Sequence, residues 1–358
     1  MGEDSFKMGR ELLLLCLRCN QFTLAEDLLL CLYRDLEQVI SVEQFQSRYL
    51  SFTSEIGKQY PTIIKKEYFQ RLSHWISRRN TLLDDLKLIE STNQLLTLAM
   101  QMTSTDPKMV QNCLIGLCPS LDASVDSLRK LGLFRKNYLA VIRKFPLRNL
   151  KDIDLSFLDP VKPYLLQMQR RFTHKLLLSC ASDLVNLYIG ADKAGKAKVW
   201  IQEWMPPRDA SLDDEGEIES FYEHQWTFLC FLAQKHPTLI EESLLITFAQ
   251  YVQAMERRFS HPLLSQCKID GVVVCSMLNR QWASKILPLL WPALDASCDG
   301  VKELQTLFKD CLAPLLALPS EQRVSLDESF FEPLLAYLLA MKARMPFLEE
   351  LYICLQSI

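Results

Sequence analysis

Apolar residues recur at helical spacing from one end of this chain to the other, and short breaks interrupt them before any run grows long. Within residues 8–19, Leu12, Leu13, Cys16 and Leu17 stand at i, i+1, i+4 and i+5, the stripe of a helix with one face inward. Asn20-Gln21 breaks the stripe. Thr23 with Glu26 then makes a capping box that predicts a second helix over 24–39, with Leu28, Leu29, Leu32 and Leu36 inward. So short a connection predicts antiparallel packing of the pair. Glycine points to the same class: 10 in 358 residues, about 3% against a usual ~7%, is too few for the tight hairpins of an all-β chain.

The same signals continue. Ser41 with Gln44 is a capping box opening a helix to residue 55, with Phe45 and Tyr49 inward, and Pro61 suits the first turn of a helix reaching residue 79. A helix is expected over 81–102, and Asp106-Pro107 is an N-cap with Pro at the first helical position. Two short helices over 122–131 and 136–145 precede Pro146. Asp159-Pro160 opens one long helix that closes at Gly190, a C-cap residue. Residues 191–219, with Met205-Pro206-Pro207 and an acidic run at 209–219, have the composition of a linker or exposed loop. Helices are expected again over 217–235, 238–258, 270–284, 299–316, 327–344 and 347–356, one of them opened by the capping box of Ser325 with Glu328.

The expected architecture is all-α: about fourteen helices in stacked antiparallel hairpins, irregular α-solenoid or helical-repeat-like, divided as 1–190, a linker at 191–219, and 220–358. No fixed repeat period is expected, since the spacing is not the 34 residues of tetratricopeptide repeats and their signature residues are missing. By pattern the chain resembles irregular helical-repeat scaffold subunits of the HEAT and tetratricopeptide kind. That resemblance implies protein partners and a place in a multiprotein complex.

Composition bounds the setting. Twelve cysteines lie mostly within apolar helical stretches, which fits reduced core thiols in the cytosol or nucleus. The longest apolar runs, 12–17 and 286–294, fall short of the ~20 residues that span a bilayer, so no membrane partner is expected. Phe6 stands where an N-myristoylation signal wants Ser or Thr.

Charge is uneven. The net is −3, yet residues 129–175 hold 12 Lys and Arg against 3 Asp and Glu. Arg129, Lys130, Arg135, Lys136, Arg143, Lys144, Arg148, Arg170, Arg171 and Lys175 are the candidate partner-binding residues, interleaved with Phe134, Tyr138, Phe145, Tyr164 and Phe172. Gathered on one face they would meet an acidic protein or nucleic acid. Spread over several faces they would only balance the acidic C-terminal half.

Motifs with chemistry fail on named residues. Gly190 to Lys196 fits G-x-x-x-x-G-K, but Ala197 stands where Mg²⁺ needs Ser or Thr, and a helix rather than a strand precedes it. Cys16 and Cys19 have C-x-x-C spacing without a second ligand pair. His74, His174, His224, His236 and His261 are scattered, in no hydrolase or metalloprotease motif. Ser211 has the acidic flank that some kinases prefer, and the β-branched run Val272, Val273 and Val274 reads as a buried helix start. Phe221, Tyr222, Trp226, Phe228 and Phe231 read as a helix apolar on more than one face. No catalytic residue, cofactor or metal site is expected. The leading expectation is a non-enzymatic scaffold for protein partners. A nucleic-acid-associated factor using 129–175, and an enzyme with an unrecognised site, are the alternatives.

Overall fold

The computed structural model describes residues 3–34, 36–39, 41–64, 66–79, 86–102, 107–144, 150–278, 280–290, 295–313 and 328–344. Among the described residues every regular element is helical. The longer ones are α1 (Glu3–Arg18), α2 (Phe22–Tyr33), α3 (Val42–Gln44, a π turn at Phe45–Leu50, then Ser51–Gln59), α4 (Lys66–Ser77), α5 (Leu86–Met102) and α6 (Pro107–Leu117). Next come α7 (Leu128–Phe134, a π turn at Arg135–Leu139, then Ala140–Ile142), α8 (Val161–Arg171), α9 (Lys175–Gly190) and α10 (Ala194–Trp204). The rest are α11 (Gly216–Phe221, a π turn at Tyr222–Trp226, then Thr227–Lys235), α12 (Glu242–Glu256), α13 (Pro262–Met277), α14 (Arg280–Leu290), α15 (Val301–Leu307, then a π turn at Phe308–Leu312) and α16 (Glu328–Arg344).

The expectation that no fixed period exists is overturned. Pro-x-x-Asp-Ala-Ser-x-Asp occurs at 119–126, 206–213 and 292–299, in steps of 87 and 86 residues. Each copy leads into a helix interrupted by a π turn, so the order π-interrupted helix, second helix, third, fourth recurs as α3–α6, α7–α10, α11–α14 and α15–α16. A π turn takes one residue more than an α turn and rotates the rest of its helix about the axis. Keeping it at one place in every module keeps both halves of that helix turned to the same neighbours. The shared residues are loop residues, most of them polar, so the period escapes a search by apolar periodicity, which sees only helices.

Packing obeys the modules. The second helix lies on the fourth in α4–α6 and in α12–α14, and the third helix packs on the π-interrupted helix of the next module, as α5 does on α7 and α13 on α15. α1 and α2 are by the same rule a third and fourth helix. The turn between them closes on Asn20 at φ 56°, with Gln21 N–H donating to Cys16 O at 2.8 Å and Asn20 N–H to Leu17 O at 3.1 Å. Between α9 and α10, Asp192 at φ 60° repeats this: Lys193 N–H to Tyr188 O at 2.8 Å and Asp192 N–H to Ile189 O at 3.0 Å. Asn and Asp tolerate the left-handed region better than other side-chain-bearing residues, which suits both to close a helix this way. α9 ends at Gly190, as expected, and the left-handed residue that closes the turn is Asp192.

Other boundaries differ from expectation. The helix expected over 159–190 is two, broken at 172–174, and the pair expected over 122–131 and 136–145 is one π-interrupted helix preceded by a loop. α2 begins at Phe22 with Gln21 before it, so Thr23 is inside the helix and no capping box forms there, whereas Ser41 does accept from Gln44 N–H. The expected linker at 191–219 contains α10, whose Trp200 and Trp204 are fully buried. The capping box at Ser325, the helix expected over 347–356 and residue 148 lie outside the described residues.

Two compact units divide the chain, residues 1–172 with 179–200, and residues 173–178 with 201–358. In the first, Phe45 stacks on Trp75 at 3.9 Å, and Phe6, Tyr33, Tyr49, Phe52 and Tyr68 form a run of ring contacts. In the second, Phe221 meets Trp226, Phe248 and Tyr251, and Trp204 donates to His224 O at 3.0 Å. Each such buried ring contributes roughly 1.5–3 kcal/mol by leaving water. The helix expected to be apolar all round is thus inside a core.

Candidate functional site

Each Asp-Ala-Ser-x-Asp loop is tied to the second helix of its own module by the same bonds. Asp122 Oδ1 accepts from the amide and hydroxyl of Ser124 (2.9 and 2.6 Å), Asp209 Oδ1 from Ser211 (2.9 and 2.7 Å), and Asp295 Oδ1 from Ser297 (2.9 and 2.6 Å). From the C-terminal end of the second helix an arginine returns to two loop carbonyls. Arg171 bonds Ala123 O and Asp126 O, Arg258 bonds Ala210 O and Asp213 O, and Arg344 bonds Ala296 O and Asp299 O. Seven residues before that arginine stands a tyrosine: Tyr251 OH donates to Asp213 Oδ2 at 2.7 Å, Tyr337 OH to Asp299 Oδ2 at 2.9 Å, and Tyr164 sits beside Asp126. Hydrogen bonds from Ser297 and Cys298 hold the Asp295 carboxyl down at about 2, and Ser124 and Ser211 lower Asp122 and Asp209 in the same direction. These carboxylates are occupied by their own loops. The acidic run at 209–219 is likewise engaged from within, by Arg208 with Asp213 and Glu217 and by Arg258, and the Ser211 hydroxyl is donated to Asp209.

The basic segment divides in two. Arg135 Nε (2.8 Å) and Arg143 both reach Asp183, a carboxylate 2% exposed in the middle of α9. Lys130 pairs with Asp126 at 2.8 Å, Lys151 with Asp192, Lys162 lies over the Tyr188 ring, and Arg171 closes its loop. Arg135, Arg143, Lys130 and Arg171 therefore hold the fold, and only part of the expected patch faces outward. Arg129, Lys136, Lys144 and Arg170 are exposed, and none makes an ion pair among the described residues; Lys175 is exposed as well. Arg129 and Lys136 lie about two turns apart on the π-interrupted helix α7, and Lys144 comes just after its end.

Sequence reasoning missed two surfaces. A notch in the first unit, about 410 Å³, is lined by Glu37, Arg71, His74, Trp75, Arg78 and Arg79. Arg71 and Arg79 there already serve the carbonyls of Tyr33 and Val39, and Arg79 stacks over Trp75, which leaves Arg78 as the outward cation beside the exposed ring of His74. The second surface is the outer side of α1 and α2, where Met8, Leu12, Leu15, Phe22, Leu24 and Leu30 are all exposed. Leu12, expected on the inward stripe, is 47% exposed: the buried face takes Leu13, Cys16 and Leu17, and Leu12 and Leu15 lie outside it.

The chemical motifs stay apart. Cys16 is buried and Cys19 exposed, and among the described residues no group of three His, Cys, Asp or Glu is placed to hold a metal. Gly190 to Lys196 is the α9–α10 turn, Lys196 lies 3.8 Å from Asp154, and Ala197 is fully buried. Val272 and Val274 are buried within α13. His224 is fully buried, and neither ring nitrogen has a hydrogen-bond partner. Among the described residues no helix is long and apolar enough to cross a membrane.

No protein-family model, curated protein or solved structure matches this chain. Its surfaces and its internal repetition are what speak for its function.

Proposed function

We propose that this protein is a non-enzymatic helical-repeat scaffold, an α-solenoid that binds protein partners as a subunit of a larger complex inside the cell, in the nucleus or cytosol. One observation carries this reading. The same four-helix module, closed by the same Asp-Ala-Ser-x-Asp loop and returning arginine, recurs along the chain with its polar groups bonded inside the module. Repetition of a structural unit builds extended surface, and proteins made this way use that surface for binding. The ten free cysteines of the described residues suit a reducing compartment.

The test is affinity purification of the intact chain under mild conditions, with quantitative mass spectrometry of the proteins that co-elute. One or more proteins held in fixed stoichiometry through gel filtration is the expected result. A monodisperse monomer without stable companions would count against the proposal.

The exposed cations Arg129, Lys136, Lys144 and Arg170 favour a second reading, contact with nucleic acid. Binding to a short duplex or single strand should then weaken steeply between 50 and 200 mM salt, by a factor on the order of 10² for about four phosphates neutralised. Reversing those four charges should flatten the slope. Arg143 and Arg171 do not belong in such a variant, because their loss damages the fold.

A further inference from the structure

We infer that the outer face of α1, built from Met8, Leu12, Leu15 and Cys19 around Glu11, docks a partner's amphipathic helix that carries a cationic hydrogen-bond donor. This rests on reading the chain as a protein-binding scaffold and says where and how one partner binds.

α1 and α2 superpose in sequence on α9 and α10 with a shift of 172 residues, fixed by the shared turn at Asn20 and Asp192. With that shift Met8 answers to Cys180, Leu12 to Leu184, Leu15 to Leu187 and Cys19 to Ala191. The four α9 residues are 0%, 0%, 1% and 1% exposed, whereas Met8, Leu12 and Leu15 are 70%, 47% and 56% exposed. The opposite face is buried in both helices: Leu13 and Cys16 answer to Val185 and Tyr188. One side of α1 is therefore packed like its counterpart, and the other side, equally apolar, is open.

Elsewhere in the chain that side of a third helix is covered. α5 and α13 each pack against the π-interrupted helix of their own module and against that of the next. α1 has the second neighbour: Phe6 meets Tyr49 and Phe52 of α3, and Arg10 pairs with Glu55 at 2.6 Å. Among the described residues no π-interrupted helix stands on its other side, and in three modules a helix of that kind supplies a polar donor to the third helix. Gln46 donates to Ser91 Oγ at 3.0 Å, Arg135 to Asp183 at 2.8 Å and Tyr222 to Asp270 at 3.2 Å. The shift of 172 places Glu11 where Asp183 stands. Among the described residues Glu11 is exposed and has no ion pair or hydrogen bond. An acidic residue at the centre of an open apolar stripe, at the position where α9 receives two arginines, calls for a helix with Arg or Lys facing inward.

The experiment uses a probe from the chain itself. A peptide copying residues 127–145, hydrocarbon-stapled between positions 129 and 136, which face solvent in the intact protein, carries the face that covers α9. Fluorescence anisotropy against the full chain should show saturable binding. Leu12→Asp or Leu15→Asp should weaken it at least tenfold, and Glu11→Arg to a similar extent, with circular dichroism unchanged because these positions are exposed. A peptide with Arg135→Glu and Arg143→Glu should lose the wild-type chain and regain the Glu11→Arg chain. Absence of saturable binding, or binding indifferent to Leu12→Asp and Glu11→Arg, overturns the inference. So does a dimer in sedimentation that Leu12→Asp abolishes, which would assign the face to a second copy. If co-purifying partners persist with Leu12→Asp and Leu15→Asp while the peptide fails, this docking face is wrong and the scaffold reading survives.

Discussion

Arg258 donates to the backbone carbonyl of Asp213 at 2.9 Å, across 45 residues of chain. Arg171 with Asp126 and Arg344 with Asp299 repeat that bond at the same separation, 3.1 Å in both cases. A carbonyl in a loop has no ladder to join, so an arginine that satisfies two of them fixes both the loop and the exit of the helix that carries it. The recurrence makes this a property of the module and not an accident of one turn.

Replacing any one of these arginines with alanine should therefore cost a similar amount. The bonds are charge-assisted but exposed, so about 1 kcal/mol each is expected, read as a shift in urea midpoint with unchanged slope. Arg171→Ala and Arg258→Ala alone should differ from each other by less than about 0.5 kcal/mol, and together they should add, being far apart in sequence and sharing no partner. If one site proves neutral and another severe, the brace is not a repeated element.

Asp183 should be far more sensitive to its partners than they are to it. With Arg135 and Arg143 both changed to methionine, a carboxylate 2% exposed is left without its cations, and a loss of about 3–5 kcal/mol is expected. Asp183→Asn in that background should recover part of the loss, because it removes the stranded charge. By contrast Lys136→Glu with Lys144→Glu should leave the urea midpoint within about 0.5 kcal/mol of wild type, since both side chains are exposed.

The helical class is legible because apolar periodicity is a local signal, and α1, α5, α12 and their neighbours fall close to where the stripes place them. Boundaries are less so. Phe172, Thr173 and His174 end α8 without a proline or glycine, and nothing in their composition distinguishes them from helix. The basic segment misleads for a related reason. Twelve cations in 47 residues read as a patch, but Asp183, which gathers Arg135 and Arg143, lies outside the stretch in sequence. The repeat is written in plain residues at Asp122, Asp209 and Asp295, but polar loops lie outside the apolar pattern from which a helical period is read.

Thiol reactivity should sort by burial. Cys19 and Cys31 are exposed, whereas burial raises the thiols of Cys113, Cys180, Cys267 and Cys275, the last to about 12. Alkylation of the native protein at pH 8, with peptide mass spectrometry as the readout, should label Cys19 and Cys31 first, with the buried four slower by a factor on the order of 100 or more. Cys298 is exposed, but its hydrogen bond to Asp295 raises its thiol, so it should react after Cys19. Labelling of Cys113 as fast as Cys19 would contradict this packing.

His224 sets a pH limit on the second unit. Burial, helped by the nearby Arg208 charge, lowers its imidazole from 6.5 to about 4, and neither nitrogen has a partner that would hold a proton. In the unfolded chain the ring takes up a proton near its ordinary value, while in the fold it stays neutral until about 4. Between those values the unfolded state binds more protons, so stability rises with pH there and is lost as pH falls from about 6.5 toward 4. The full effect is about 3 kcal/mol. His224→Leu should remove it: the difference in urea-derived stability between wild type and variant should be flat above pH 7 and grow in the variant's favour down to about pH 4. Equal pH slopes for the two proteins would mean that His224 is protonated or solvated in the fold.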